Sequence, residues 1–236
     1  MFRLLDLFCG AGGCSVGYFR AGFRNIVGVD VKPMPRYPYR FDRGDAIEYL
    51  IENHHRFDAI HASPPCQAYS VATAGLRKAG KVYSDLVATT RHALVTIGKP
   101  WVIENVVGSP LSRTPTDAIG CVQLCGSMFG LRMSKEEVGS GHDDGWYLER
   151  HRWFEGNFSL RPPGPCNHVG KALSVVGHGT QSAVYKKFGY VSKADNRRII
   201  MGIPWMDRTS IAQAIPPAYT EWIGNLLMAE CVRRRG

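Results

Sequence analysis

The sequence predicts an α/β fold built on a parallel sheet, because short apolar segments alternate with helical ones. Residues 2–8 and 25–30 have the composition of buried strands, and residues 57–62 form a third apolar segment. A glycine-rich turn and a helix follow the first segment, which is the usual start of a nucleotide-binding fold. A chain of 236 residues is long enough for one such domain with a sizeable core and a small inserted lobe.

Composition and charge favour a nucleic-acid partner. The 29 lysines and arginines exceed the 20 acidic residues and give a net charge of +9, which suits an anionic partner. A basic surface without a partner is the alternative. No apolar run approaches the roughly 18 residues of a membrane span. The chain enters its first strand without a signal peptide, and its seven cysteines are scattered, so we expect reduced thiols and a cytoplasmic protein.

The turn after the first strand has the glycines that let a ligand approach the backbone closely. Its spacing departs from the dinucleotide fingerprint, because Ser15 stands where the third glycine after Gly10 and Gly12 is expected. A helix is predicted from about Ser15 to Ala21. A nicotinamide-dependent oxidoreductase is therefore a weak alternative.

Two aspartates follow the next predicted elements. Asp30 ends the second strand, where an acid is placed to bind the hydroxyls of a ribose, and a solvated turn aspartate is the alternative. Residues 32–43 are predicted to form a loop. Asp45 then caps a second helix and has a further possible partner in an adenine amino group.

A cysteine lies at the end of the third predicted strand. Pro64 and Pro65 stop that strand and stiffen the loop, and Cys66 follows directly. A thiol at this end of a parallel strand is a candidate nucleophile, with an inert core cysteine as the alternative. Residues 71–83 form a small, basic segment, predicted to be either a flexible loop that closes over a phosphate backbone or a plain solvated loop.

The next strand also ends in a polar group. Helical spacing covers residues 85–97, and residues 101–103 form a strand. Glu104 comes directly after it and faces the same rim of the sheet as Cys66 and Asp30. Residues 150–154 alternate in a way that would place Arg150 and Arg152 on one face of a strand, with an edge strand carrying solvated arginines as the alternative.

The chain divides into residues 1–154, a small lobe at 155–195 rich in proline and glycine, and a return at 196–236. The lobe and the segment before it carry possible zinc ligands, namely Cys166, His168 and His178 with Cys121 or Cys125. Their spacings match no closed structural zinc site, so no metal ion is predicted.

Four segments resemble, in order, the motifs of the cytosine-C5 DNA methyltransferase family. Residues 6–13 resemble its first cofactor motif, and residues 63–67, Ser-Pro-Pro-Cys-Gln, its Pro-Cys-Gln motif. Residues 104–106 resemble Glu-Asn-Val, and residues 150–152 resemble Arg-x-Arg. The small size and the Ile-Pro-Pro-Ala-Tyr sequence at 215–219 look most like phage or prophage members.

The resemblance implies a Rossmann-like class I S-adenosylmethionine-dependent methyltransferase fold with a small target-recognition lobe. It implies S-adenosylmethionine as cofactor and a flipped cytosine of double-stranded DNA as substrate, with a role in restriction–modification. The cytoplasm would be that of the host if a phage encodes the protein, and a monomer is favoured. Alternatives are an inactive nucleic-acid-binding relative, a substrate such as single-stranded DNA or tRNA, and transfer of a group other than methyl.

The resemblance also implies roles for individual residues. Cys66 would attack C6 of the cytosine, Glu104 would hold the base by N3 and the exocyclic amine, and Arg150 and Arg152 would supply positive charge. The implied cofactor-binding residues are Phe8 at the adenine, Gly10 and Gly12 at the methionine end, Asp30 at the ribose, Asp45 at the adenine amine, and in addition Asp6, Gly13, Val31, Ala46 and Pro64.

Three features depart from the family pattern. Leu148 stands where the family usually has glutamine before Arg-x-Arg, and residues 214–217 stand where its Gly-Asn motif is expected. The lobe is short, so few base contacts are possible and we expect a short recognition site or loose specificity.

Overall fold

A computed structural model of the protein describes residues 1–70, 73–111, 120–138, 145–175 and 193–236. Its strands are β1 (Arg3–Leu7), β2 (Asn25–Asp30), β3 (Arg40–Arg43), β4 (Ala59–Ala62), β5 (Trp101–Asn105), β6 (Gly120–Leu124), β7 (Arg132–Met133), β8 (Trp146–Leu148), β9 (Arg152–Gly156) and β10 (Lys171–Leu173). Its helices are α1 (Gly13–Arg20), α2 (Ala46–Asn53), α3 (Ala74–Lys78), α4 (Leu86–Ile97), α5 (Lys135–Val138), α6 (Ala194–Met201), α7 (Arg208–Ile211) and α8 (Pro217–Arg235).

A seven-stranded sheet in the order β3-β2-β1-β4-β5-β9-β6 organises the molecule. The first five strands in this order pair in parallel, whereas β9 runs antiparallel to both β5 and β6. The α/β fold is therefore confirmed. The carboxyl ends of β1, β2, β4 and β5 share one edge of the sheet, which is where parallel sheets bind ligands.

Helices cover both faces of the sheet. On one face, α1 and α8 bury a cluster that includes Tyr18, Tyr219 and Ile223. On the other face, Leu50 of α2 and Leu94 of α4 belong to a second buried cluster. Burial of apolar side chains on both faces explains why the central strands are almost continuously hydrophobic.

Helices α1 and α8 pack closely because glycines lie between them. A Cβ atom on Gly17 would lie 2.1 Å from Thr220 Oγ1 and 2.2 Å from the carbonyl oxygen of Pro217. On the other helix, a Cβ atom on Gly224 would lie 2.7 Å from the Cβ of Ala21. The Thr220 hydroxyl donates to the Cys14 carbonyl at 2.9 Å and ties the two helices together.

Several predicted elements need correction. The loop predicted at 32–43 ends in β3, an edge strand whose charged residues hide it from a search for apolar segments. The basic loop predicted at 71–83 contains α3, and residues 71–72 lie outside the described part. Glu104 belongs to β5 itself, and β9 lies inside the sheet between β5 and β6, so it is not an edge strand.

A second, three-stranded sheet has the order β10-β8-β7. Its buried residues pack with the C-terminal return in a third cluster, which includes Trp146, Leu173, Ile200 and Met206. Strands β7 and β8 precede the lobe predicted at 155–195, and β10 lies within it. Residues 176–192 of that lobe lie outside the described part.

A buried ion pair fixes β9 to α4. Arg91 donates to both carboxylate oxygens of Glu155, at 2.6 and 2.9 Å, and Glu155 is fully buried.

Within the described ranges, no helix is both long and apolar enough to cross a membrane.

Candidate active site

The loop that carries Cys66 is fixed to the sheet edge by backbone contacts. The Ser63 amide donates to the Leu7 carbonyl at 3.1 Å, and the Asn105 side-chain amide donates to the Pro64 carbonyl at 2.9 Å. The carbonyl of Cys66 accepts from the amides of residues 69 and 70. The half-buried thiol therefore has a backbone fixed on both sides.

Arg77 supports the same loop from α3. Its guanidinium donates to the carbonyl oxygens of Gln67 at 2.9 Å and Ser70 at 2.8 Å, and to the Thr73 hydroxyl at 2.6 Å. Arg77 belongs to the basic segment predicted either to close over a phosphate backbone or to be solvated, and its guanidinium contacts the residues just after Cys66.

Three of the predicted catalytic side chains interact around the thiol. Arg152 Nε lies 3.2 Å from Glu104 Oε1, and both side chains are largely buried. Arg150 is also buried; it donates to the Ala212 carbonyl at 3.0 Å, and its own carbonyl accepts from the Tyr219 hydroxyl at 2.6 Å. Tertiary contacts therefore hold the Arg-x-Arg segment, although Arg150 precedes the strand that begins at Arg152.

The groups around Cys66 shift the pKa of its thiol in opposite directions. Burial and the Glu104 carboxylate raise the pKa of the thiol, whereas the two guanidinium groups of Arg152 and Arg150 lower it, and the net shift is upward. Burial likewise raises the pKa of Glu104 despite Arg152, Ser63 and Arg150, which lower it. The thiol is thus mainly protonated at neutral pH, and charge in the site controls its reactivity.

A buried chain of hydrogen bonds lies behind Glu104. The Tyr18 hydroxyl is 2.8 Å from His61 Nδ1, and His61 Nε2 is 2.9 Å from Ser63 Oγ. Ser63 in turn hydrogen-bonds Glu104. Burial lowers the pKa of His61 to about 3, so its ring is neutral. The role of this hydrogen-bonded chain was not predicted, because its one signal in the sequence is a histidine inside an apolar strand.

The glycine turn and Asp30 form the predicted cofactor side of the edge. Phe8 has a positive φ of 57°, which is rare for a residue with a side chain. The Gly10 amide donates to one carboxylate oxygen of Asp30 at 3.2 Å, and the Lys32 amide donates to the other at 3.0 Å. A Cβ atom on Gly10 would meet nothing within 4 Å, and Val31 beside Asp30 is 55% exposed. This edge thus offers open backbone, an acid and an apolar side chain.

Other predicted cofactor residues face the protein itself. A Cβ atom on Gly12 would lie 2.6 Å from the Pro38 side chain, and one on Gly13 would lie 2.4 Å from the Ile215 carbonyl oxygen. Ala46 and Pro64 are buried. These glycines make room for the chain's own neighbouring segments.

Asp6 is fully buried and accepts a hydrogen bond from Ser15. Burial raises its pKa to about 7, and its Oδ1 has no hydrogen-bond partner among the described residues. The hydrogen bond from Ser15 favours a role for Asp6 in holding the start of α1 in place. Asp45 caps α2, as predicted, by accepting from the amides of Ile47 and Glu48.

The C-terminal return reaches this turn. Trp205 Nε1 donates to the Ala11 carbonyl at 3.0 Å, which joins the segment after α6 to the glycine turn. The only feature predicted for this return was the absence of the family's Gly-Asn motif at residues 214–217. The contact had no local signal, because 194 positions separate its two residues.

Solved structures share this architecture and define its class. One is a protein proposed to be a DNA modification methyltransferase, encoded within an E. coli prophage; it matches with a TM-score of 0.59 and 13% identity over 99% of this chain and 100% of its own. Another is the Dnmt2 methyltransferase of S. pombe, with a TM-score of 0.55 and 11% identity over 98% of this chain and 99% of its own. The fold is that of the Rossmann-like class I S-adenosylmethionine-dependent methyltransferases, as predicted.

Sequence comparisons then give the family. The model of the C-5 cytosine-specific DNA methylase family matches residues 2–108. The type II methyltransferase M.HgiGI of Herpetosiphon aurantiacus is 31% identical over 123 residues, which cover 47% of this chain and 95% of that protein. The chain belongs to the C-5 cytosine-specific DNA methylase family, so the family predicted from its motifs is confirmed. Membership implies S-adenosylmethionine as the cofactor.

Other relatives are longer than the part that matches. The type II methyltransferase M1.HphI of Haemophilus parahaemolyticus is 31% identical over 121 residues, 43% of this chain and 32% of that protein. M.HgiDI of Herpetosiphon aurantiacus is 32% identical over 123 residues, 47% of this chain and 39% of that protein. The chain thus spans between 32% and 39% of the length of these two relatives.

Proposed function

We propose that this protein transfers a methyl group from S-adenosylmethionine to C5 of cytosine in DNA, through a covalent adduct with Cys66. The observation that carries the proposal is the pairing of Glu104 with Arg152 beside a half-buried thiol on a fixed loop. The type II methyltransferases among its relatives support a role in restriction–modification.

Cytosine C5 is a poor nucleophile, and the site supplies what is needed to activate it. The Cys66 thiolate forms a bond to C6, the electron pair of the C5–C6 double bond moves toward N3, and Glu104 donates a proton at N3. Burial favours the protonated form of Glu104 that this step needs. Arg152 and Arg150 lower the pKa of Cys66 and so favour its thiolate.

The bound cofactor would supply an electrophilic methyl group on a sulfonium, and its sulfur would keep the electron pair of the broken S–CH3 bond and leave as a thioether when the activated C5 accepts the methyl group. A base then removes the proton from C5, the electron pair re-forms the C5–C6 double bond, and Cys66 leaves as the thiolate. N3 returns its proton to Glu104, which restores the acid. Ser63 and the buried hydrogen bonds behind it keep Glu104 oriented during these steps.

The cofactor would lie along the carboxyl ends of β1 and β2. Asp30 would accept from the ribose hydroxyls, Phe8 and Val31 would contact the adenine, and the open backbone at Gly10 would meet the methionine end. Asp45 would accept from the adenine amine. Gly12, Gly13, Ala46, Pro64 and Asp6 would support the pocket by packing, consistent with their burial.

The substrate would be double-stranded DNA with one cytosine flipped out, because the thiol cannot reach C6 inside a stacked duplex. The net charge of +9 supports an anionic partner. Residues 155–195 would form the target-recognition lobe between the catalytic part and the C-terminal return. Because this lobe is short, we expect a short recognition site or loose specificity.

Nucleoside mass spectrometry tests the proposal directly. Cytosine-rich duplex DNA is incubated with S-adenosylmethionine and either wild type, Cys66→Ala or Cys121→Ser. Cys121→Ser is the matched control, since Cys121 lies in β6 at the far edge of the sheet. We expect 5-methylcytosine with wild type and the control, and none with Cys66→Ala.

A trapping assay separates the covalent step from overall turnover. In DNA containing 5-fluorocytosine, C5 carries no removable proton after methyl transfer, so the Cys66 adduct should persist through denaturation. Methyl transfer by Cys66→Ala would contradict the mechanism. Activity of the wild type only on single-stranded DNA or tRNA would instead change the substrate.

A further inference from the structure

Two cysteines and two histidines converge beside the Arg-x-Arg segment. The side chains of Cys125, His151, Cys166 and His168 each offer one ligand atom, and these four atoms all lie within 4.8 Å of one another. Cys125 Sγ is 3.3 Å from His168 Nε2, and Cys166 Sγ is 3.6 Å from His151 Nε2. We call these four residues the Cys2His2 cluster.

These distances suit a tetrahedral metal site. Zinc binds thiolate sulfur at about 2.3 Å and imidazole nitrogen at about 2.0 to 2.1 Å, so neighbouring donor atoms lie roughly 3.3 to 3.8 Å apart. The Cys125–His168 and Cys166–His151 sulfur–nitrogen distances fall within that range. Two thiolates and two neutral imidazoles also balance the charge of Zn²⁺, which suits a partly buried position.

The surrounding residues hold the ligands in place. Arg132 donates to the carbonyl oxygens of Asn167 at 2.8 Å and Val169 at 2.7 Å, which fixes the segment that carries Cys166 and His168. Tyr147 stacks on the His168 ring at 5.0 Å between centroids. This shell orients the ligands in the way that outer-shell contacts do in metal sites.

The hydroxyl of Ser127 supports the other cysteine. It donates to Cys125 Sγ at 3.4 Å and accepts from the Asn167 amide at 3.2 Å. Ser127 therefore joins the Cys125 sulfur to the segment that carries Cys166 and His168.

We propose that the Cys2His2 cluster binds a structural zinc ion. All four coordination positions are filled by protein, as in closed structural sites. The sequence predicted no metal ion because the ligands come from three separate segments, and their spacing matches no regular zinc motif. His178 lies outside the described residues, and the cluster contains His151 and Cys125.

The position of the ion gives it a specific role. His151 lies between Arg150 and Arg152, so zinc would join the segment around residue 167 to the arginines that flank the thiol site. The metal would therefore fix the start of the predicted lobe relative to the active site. Binding of the ion does not depend on the proposed methyl transfer.

Metal content of the purified chain tests the proposal without any activity measurement. The protein is expressed in zinc-supplemented medium, purified without chelator and freed of any affinity tag, and its zinc is measured by inductively coupled plasma mass spectrometry. We expect one zinc ion per chain. Cobalt(II) in its place should show the intense visible bands of a tetrahedral site and a thiolate-to-cobalt charge-transfer band.

Variants identify the ligands. Cys166→Ser and His168→Asn change exposed residues, so they should fold while losing most of the zinc and the cobalt bands. Cys121→Ser is the matched control and should retain both. Cobalt bands that persist when Cys166→Ser and His168→Asn are combined in one variant would overturn the proposal. Wild type that carries no zinc and takes up no cobalt under reducing conditions would overturn it as well. So would a Cys125–Cys166 disulfide that excludes the metal in the native chain.

Discussion

Arg152 Nε lies 3.2 Å from Glu104 Oε1, and this ion pair sets the charge that Cys66 experiences. Burial has the largest effect and raises the pKa of the thiol, and the Glu104 carboxylate raises it further. The two arginines lower it. The same site therefore contains one group that restrains the thiol and two that activate it.

Glu104→Gln should speed the alkylation of the Cys66 thiol and slow methyl transfer. Loss of the carboxylate leaves the arginines unopposed, so the pKa of Cys66 falls, with about a tenfold rise in thiolate per pKa unit at neutral pH. We expect faster alkylation by iodoacetamide at pH 7 and a loss of methyl transfer of at least about a hundredfold.

The two readouts in opposite directions distinguish this effect from simple misfolding. Glu48→Gln, on the exposed surface of α2, is the control and should change neither rate. An alkylation rate that falls together with methyl transfer would mean that Glu104 does not restrain the thiol.

Ser63 is expected to act by positioning Glu104. Ser63→Ala removes a hydrogen bond worth about 1 kcal/mol, which corresponds to a loss of roughly fivefold in kcat. Because Ser63 lowers the pKa of Glu104, the variant should also raise it and shift the alkaline limb of the pH–rate profile upward.

Rescue makes this test specific. Ser63→Thr keeps a hydroxyl and should retain most of the activity and the pH profile of the wild type. An unshifted pH–rate profile in Ser63→Ala would assign the serine a purely structural role.

Trp205 is expected to support the cofactor turn from a distant part of the chain. Trp205→Phe keeps the aromatic ring but removes the hydrogen bond to the Ala11 carbonyl, so the turn loses about 1 kcal/mol of support. We expect the Kd for S-adenosylmethionine to rise roughly fivefold in isothermal titration calorimetry. Trp222→Phe removes a comparable bond to Arg161 and should leave this Kd unchanged.

The sequence predicted the parts of the site that local order determines. Cys66 follows a strand and two prolines, Asp30 ends a strand, and Asp45 caps a helix. Each of them can therefore be predicted from its neighbours in the sequence. Asp6 and Gly13 were also recognised in their motif. What the motif could not reveal is that Asp6 is buried against Ser15 and that Ile215 closes over Gly13.

The rest depends on contacts between distant segments. His61 looks like an odd residue in an apolar strand until Tyr18 and Ser63 reach its two nitrogens. The Cys2His2 cluster likewise forms only when three segments meet, so its spacing in the sequence is irregular. An edge strand such as β3 is missed for another reason, since half of its surroundings are solvent and its residues are charged.

Gly17→Ala should destabilise the fold, because α1 and α8 touch at this position. A Cβ atom there would lie 2.1 Å from Thr220 Oγ1 and 2.2 Å from the Pro217 carbonyl oxygen, so the helices must separate. Overpacking of this kind costs about 1 to 3 kcal/mol, and the closeness to backbone favours the upper end. Urea denaturation should show this loss in the free energy of unfolding. Gly75→Ala is the matched control, since Gly75 is also helical but a Cβ atom there meets nothing within 4 Å. Alanine there should be neutral or stabilising by up to about 1 kcal/mol, and an equal loss in both variants would refute the close packing of α1 on α8.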